Sequence, residues 1–506
     1  MARRSGGRQG RADQGPPPQR DYGHLRHPFQ PQNLFSDDEV AAIHDAALTV
    51  LENLGIKILL PEARQVLAAA GARVDEDMVR IGCDLVAEAL RTAPSSWKMN
   101  ARNPANTLTY EPGALLFTAA GGCPNAHDAV RGRRPGDLQS YTEAIQLQQH
   151  FSAIHKLSPS AEPQDVPVPL RHYAMMHAQM ANADKSLFAY ARGREQIEDT
   201  FQMVRLGMDL SDDEFLNNSW CSTVINTNSP RMIDAPMAQG ILDFARAGQM
   251  LIITPFCLAG AMAPITVAGA LTLQHAEALA AITLAQIARP GAPVSYGGFG
   301  SNVDMKSGSP AFGTPEHVKM QLGSGQLARH IGLPWRSAAG SASNAPDAQG
   351  ATENDMGLWG AMLSNATMVV HAAGWLEGGL SFGYEKFITD IEAVQMLAEM
   401  CKPTSGSAAE IGMEALRDVD PGGHFFATQH TMDRYDQAFY RPLVADLSNY
   451  GSWEEAGGQD AATRATKIWQ DVLAEFTPPD GCDEAAARLG QFIADRTVQG
   501  GAAPQE

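Results

Sequence analysis

From about residue 114 onward the chain repeats one unit: a short apolar run, a stop built from Gly, Pro, Ser or Asn, and a longer segment whose apolar residues recur every 3.6 positions. The runs predicted as strands are 114–119, 153–157, 187–191, 219–225, 251–256, 293–296, 335–338 and 368–372. Helices are predicted to begin near Gly136, Pro169, Arg194, Ala235, Val267, Thr314 and Asp347, with a last one over 384–400. Eight strands, each followed by a helix, favour a (β/α)8 TIM barrel in the α/β class over an open sheet, because closure leaves no unpaired edge. Right-handed crossovers then bring every strand's C-terminal end to one face.

A barrel of about 250 residues leaves room for additions in a chain of 506 residues, 44% hydrophobic and 19% charged. The segments around it read as a disordered tail over 1–30, an N-terminal helical cap over 31–113, the barrel over 114–402, a C-terminal extension over 403–496 and a frayed tail over 497–506. In the cap, Ser36, Asp37 and Asp38 supply an N-cap and an acidic first turn for a helix running to Leu54, and helices follow over 61–70 and 83–93. The aromatic density of the extension points to packing on the barrel or on a second subunit, and a homo-oligomer is expected.

Several function classes find no support. A formal net charge of -19 does not suit a nucleic-acid partner, whose phosphates need clustered Lys and Arg. Cys83, Cys123, Cys221, Cys257, Cys401 and Cys482 are scattered without a CxxC pair, as reduced thiols of a cytoplasmic protein would be. No metal is expected: HExxH is absent, and His172 and His177 are five apart, off the i,i+4 face that zinc motifs use. The twin arginine near the start has no apolar run after it. Residues 251–273 carry no charge and have the length of a membrane span, but Pro255, Pro264 and two glycines interrupt them, so a buried strand leading into a core helix is preferred and no membrane is expected.

In a barrel, reactive groups sit at strand ends and in the loops just beyond. Those positions are rich in aromatic residues, and Phe117, Tyr296, Phe299, Trp375 and Tyr384 are the candidates for an aromatic box, which suits a methylated ammonium because its spread charge is drawn to π faces. The eighth unit, HAAGWLEGG over 371–379, places His371 at a strand end and Glu377 after a glycine turn. The seventh, over 336–349, is a small-residue loop containing Ser341. His371, Glu377 and Ser341 are the catalytic candidates. Lys156, near the end of its strand, is the residue a Schiff-base enzyme would use.

Three segments, GQLARHIGLPWRSAAGSASNAPDAQ (325–349), VVHAAGWLEGGLSFGYEKFITDIEAVQM (369–396) and QHTMDRYDQAFYRPLVADLSNYGSWEEAG (429–457), carry a resemblance to the trimethylamine methyltransferase family over about residues 30–495. The resemblance implies a (β/α)8 barrel that methylates the cobalt of a cognate corrinoid protein, so the cobalt corrinoid is supplied by that partner and no cofactor is bound directly. Archaeal trimethylamine members carry pyrrolysine, and the similar place here, Gly340 to Asn344, reads through with ordinary residues. The resemblance therefore implies the non-pyrrolysine branch, whose substrates look like glycine betaine, proline betaine or carnitine. Chemistry agrees, because a quaternary ammonium leaves as a neutral amine without an acid. A betaine carboxylate needs a donor, and Arg192, Asn226, Ser337, Ser341 and His371 remain open as candidates, with Arg192 and Asn226 placed among the substrate-binding residues. The alternatives are a non-catalytic betaine-binding barrel and a trimethylamine-specific enzyme.

Overall fold

A computed structural model describes residues 21–505. Its centre is a curled eight-stranded sheet in a mixed α/β fold, running in the order Leu25–Arg26, Ala114–Ala119, Met368–Ala373, Trp335–Ala338, Val294–Gly297, Met250–Ile253, Cys221–Ile225, Leu187–Phe188. All neighbours pair in parallel except Leu25–Arg26, which is antiparallel to the start of Ala114–Ala119. The parallel strands are buried except at half-buried Val224, as strands covered on both faces must be.

One expected strand is missing. Residues 153–157 form no ladder, and the eighth place in the sheet belongs to Leu25–Arg26 instead. Lys156 alone makes single parallel bridges, to Thr118 on one side and Ser186 on the other. Two backbone bonds flank it, from the His155 amide to Phe117 (2.9 Å) and from the Leu157 amide to Ser186 (3.1 Å). The reason is local: Pro159 and the turns around Ser152 leave too few consecutive extended residues for a ladder.

The helices fall where cap chemistry puts them. Asp137, Asp234, Thr266, Thr314 and Asp347 each accept from the backbone amide three residues on, satisfying a donor the first turn leaves open. The apolar run over 251–273 divides into a strand, a loop and the opening of the helix Val267–Ala288. That helix has the length and apolarity of a membrane span, yet 72% of the relevant window is buried inside the protein.

The N-terminal region is not purely helical. The helices Asp37–Thr49, Pro61–Ala69 and Cys83–Thr92 all pack on Val267–Ala288, but Ile56–Ile58, Arg73–Asp75, Met78–Arg80 and Met232–Ile233 form a four-stranded sheet and Trp97–Met99 pairs with Leu108–Tyr110. These strands are three residues or fewer, too short for a period-2 signal to stand out.

Both tails depart from expectation. Residues 1–20 of the predicted tail lie outside the described residues, whereas Tyr22 and Leu25 beyond them are buried. The end is docked rather than frayed: the Ala502 amide donates to Pro169 (3.0 Å), the Gln196 side chain donates to Ala502 (2.9 Å) and the Gln505 amide donates to Arg192 (3.0 Å). In the C-terminal extension, Ala461–Glu475 packs on Tyr384–Met400, and Cys482–Val498 packs on Val168–Asn182 and Arg194–Met208. Between residue 403 and these helices Phe426 and Phe439 point outward, 80% and 81% exposed, while Tyr440 and Trp453 are half-buried.

Candidate functional site

A cavity of about 680 Å³ opens where the parallel strands end. Its floor reaches the sheet interior at Lys156, Thr223, Ile252 and Arg336, and its walls come from the loops that follow the strands. On one side of the mouth, aromatic rings touch in series: Phe256 and Phe299 with centroids 5.3 Å apart, Phe299 and Trp375 6.0 Å, Phe299 and His371 5.4 Å. Phe312 stacks behind Phe299 at 5.0 Å and holds it in place. On the other side stands Tyr190, whose hydroxyl donates to Glu162 (2.7 Å).

Trp375 is fixed by two glycines. A Cβ on Gly340 (φ +110°) would lie 2.6 Å from the indole Cδ1, and one on Gly379 (φ +105°) 2.3 Å from Cζ2. Only glycine adopts those angles freely, and only glycine leaves room for the ring. A buried ion pair supports the same turn. Lys386 binds Asp390 one helical turn on, and Asp390 also accepts the Gly374 amide (2.9 Å) immediately before Trp375.

His371 sits at φ +61° where the register of its strand shifts against Ala114–Ala119. Such an irregularity re-aims a side chain, and here the imidazole faces the cavity and packs on Trp375 with centroids 3.6 Å apart. Its Nδ1 accepts the Gly121 amide (3.2 Å). Burial, reinforced by the Arg336 charge, holds the ring pKa well below its ordinary value, so the imidazole is neutral.

Among the predicted box residues, Phe299 and Trp375 line the cavity, as do His371, Asn226 and Arg192, the last two at its exposed mouth. The others point elsewhere. Phe117 is buried in the main core, and its neighbour Thr118 takes the cavity side, as strand alternation requires. Tyr296 faces the helix layer, with its hydroxyl 3.0 Å from Nδ1 of His275. Tyr384 lies between helices, donating to Glu143 and packed against Trp469, with centroids 5.1 Å apart.

Two of the three catalytic candidates also stand off the cavity surface. The Ser341 hydroxyl donates to Glu353 (2.7 Å), which also accepts the Ala342 and Ser343 amides, so this serine and Glu353 hold the loop over 340–344 in shape. Glu377 pairs with Arg133 (2.9 Å). Burial is the largest single influence and raises its carboxyl, but the bonds from Arg133 and Ser381 and the Arg133 charge together outweigh it, so the pKa lies below the usual carboxylate value. Gly378 and Gly379 beside it, rather than its carboxylate, line the cavity.

Arg336 joins the site without having been a candidate in the sequence, whereas Lys156, the strand-end lysine, lines the cavity as well. Both are charged groups inside otherwise apolar strand runs, and that is the signal that marks them. Burial pushes Lys156 down to about 7. Its ammonium lies 4.9 Å from the Phe188 ring centroid and donates to its neighbour's carbonyl at Leu157 (3.1 Å).

A family model described as "Trimethylamine methyltransferase (MTTB)" matches residues 3–501. A glycine betaine methyltransferase of Desulfitobacterium hafniense (strain Y51) is 34% identical over 469 residues, covering 92% of this chain and 97% of that relative. A trimethylamine methyltransferase of the same species (strain DSM 10664 / DCB-2) is 28% identical over 476 residues, covering 93% and 95%. One from Methanosarcina barkeri (strain Fusaro / DSM 804) is 31% identical over 466 residues, covering 88% and 92%.

Proposed function

The chain belongs to the trimethylamine methyltransferase family, and from that premise we propose that it moves a methyl group from a betaine-like quaternary amine to the cobalt of a corrinoid protein. The observation that carries this is the aromatic wall of Phe256, Phe299 and Trp375 at the mouth of an open cavity. Such a wall attracts a methylated ammonium and offers it no hydrogen bond, which is what a group without N–H requires.

In this reading the sheet is a (β/α)8 barrel whose gap between Leu187–Phe188 and Ala114–Ala119 is bridged at Lys156, with the N-terminal region as its cap. The protein's task is to position: rings hold the ammonium with one N-methyl toward the mouth, where a docked corrinoid protein presents the acceptor. The C–N bond breaks with its electron pair left on nitrogen, so the amine departs neutral and no proton is needed. A neutral His371 suits that chemistry, since no acid is required of it. Positive charge on the ammonium is lost during transfer, so an over-tight box would stabilise the ground state and slow the reaction. A cytoplasmic homo-oligomer, associating through the exposed aromatics around Phe426 and Phe439, completes the proposal.

The test combines purified protein, a reduced corrinoid protein and a panel of methylated amines, with cob(I)alamin absorbance as readout. Loss of that absorbance with a quaternary amine is expected, and no loss with any amine of the panel refutes the proposal. A second reading rests on Lys156 alone: a buried amine with a pKa of about 7 in a cavity is what a Schiff-base enzyme uses. Borohydride trapping of a carbonyl substrate on Lys156, with no methyl transfer, would select it.

A further inference from the structure

Three buried donors belong to side chains that line the cavity beside the aromatic wall, without an acceptor among them. Arg336 is 2% exposed; its Nε has no partner, and one of its terminal nitrogens makes a single weak contact, 3.4 Å from the Gly298 carbonyl. The indole Nε1 of Trp375 is likewise buried and unpartnered. His371 completes the group: because Nδ1 accepts the Gly121 amide, a neutral ring must carry its proton on Nε2, and that nitrogen lies 3.4 Å from the other terminal nitrogen of Arg336. Two N–H groups facing each other at that distance do not bond. They lack an oxygen between them.

Charge tells the same story. Among the described residues, the cavity lining holds Lys156, Arg192 and Arg336 but no Asp or Glu, and neither Lys156 nor Arg336 has a carboxylate partner, in a chain of net charge -19. Burial pushes the Arg336 guanidinium down to about 9, which leaves it charged at neutral pH. An unpaired buried cation is costly, and its natural complement is an anion brought by the ligand. A cavity built for a plain cation would carry acid groups instead.

We infer that Arg336, with the Nε2–H of His371 and the Nε1–H of Trp375, forms a carboxylate-binding subsite, so that the molecule this cavity accepts is a zwitterion. Its ammonium rests on the rings of Phe256 and Phe299, and its carboxylate is gripped by a guanidinium fixed only 5.1 Å from the Phe299 centroid. Anion and cation are therefore read within one aromatic span, which sets a short distance between the two charges of the ligand. The inference rests on the proposed function for the ammonium half and on the orphan donors for the anionic half.

The experiment is direct binding, by calorimetry or thermal shift, of glycine betaine, choline and tetramethylammonium to the full chain without any corrinoid protein. Glycine betaine is expected to bind and the two carboxylate-free cations to bind at least ten-fold more weakly. Arg336→Met is expected to lose about 10- to 100-fold in glycine betaine affinity, the range of a charge-assisted bond. Because a buried substitution can unfold a protein, Trp375→Phe is the companion variant: it keeps a ring, removes one donor, and is expected to lose about 3- to 10-fold for glycine betaine with little change for choline. Equal binding of all three probes, no binding of glycine betaine, or equal losses for every probe in Trp375→Phe overturns the inference. Methyl transfer from choline as good as from glycine betaine would also overturn it while leaving the proposed function standing.

Discussion

Removing the Lys386 ammonium should expose how firmly the turn before Trp375 is held. Lys386 and Asp390 have side chains 1% and 4% exposed, and Asp390 also receives the Gly374 amide. Lys386→Met keeps the length and apolar stem but leaves a buried carboxylate without its countercharge, which costs about 3–5 kcal/mol. Burial already pushes the Asp390 carboxyl up to about 6. It can therefore take up a proton, which places the expected loss nearer the lower figure. With an unfolding entropy of about 2.1 cal/mol/K per residue, a 506-residue chain loses roughly 1 °C in Tm per kcal/mol, so a fall of about 3–4 °C is expected. Lys386→Met/Asp390→Asn should recover most of it, because the neutral amide oxygen still accepts from Gly374 and no lone charge remains. Thermal melts at pH 7 of the two single variants and the double variant give the coupling directly. A Lys386→Met melt within 1 °C of the parent, or a double variant that melts below Lys386→Met, refutes the reasoning.

Two further outcomes follow from the geometry. Gly340→Ala combines a positive φ with a Cβ 2.6 Å from the Trp375 ring, for about 2–5 kcal/mol of strain and overpacking together, and should shift the indole fluorescence; an unchanged spectrum and Tm would contradict it. Lys156 titrates near 7 when folded and near 10.4 when unfolded, so its contribution to stability is fully present above about 10.4 and lost as pH falls through 7. Between pH 7.5 and 9 the parent should gain about 2 kcal/mol relative to Lys156→Met in denaturant titrations, and parallel pH profiles would show that Lys156 keeps its proton.

The fold was legible because its period is long and regular. Strand starts at Ala114, Trp335 and Met368 and helix starts at Arg194, Ala235 and Val267 match expectation, and all but Met368 are marked by a cap, a Gly or a Pro. Residues 153–157 look like a strand by composition, but a strand is made by its neighbours' hydrogen bonds, and here only the His155 and Leu157 amides bond to them, which leaves single bridges at Lys156. The site was less legible for a different reason. Alternation says that Phe117 and Thr118 face opposite sides without saying which side is the cavity, and the same ambiguity misplaced Tyr296. Tyr384 opens a helix, so its direction depends on how that helix packs, here against Trp469, 85 residues away in the chain. His371 and Trp375 were found because their glycines announced an unusual backbone. Arg336 reads in the sequence as the start of a small-residue loop, although a guanidinium inside a buried strand cannot be indifferent to its surroundings.

The packing of the three N-terminal helices on Val267–Ala288 has a consequence for biosynthesis. On the ribosome, the apolar faces of Asp37–Thr49, Pro61–Ala69 and Cys83–Thr92 emerge roughly 200 residues before the helix that covers them, an interval of about 10–40 s at ordinary elongation rates. For that time the nascent chain carries uncovered greasy surfaces that a holdase chaperone would recognise. Slow translation should therefore lower the soluble yield of this protein more than that of one whose partners lie close in the chain.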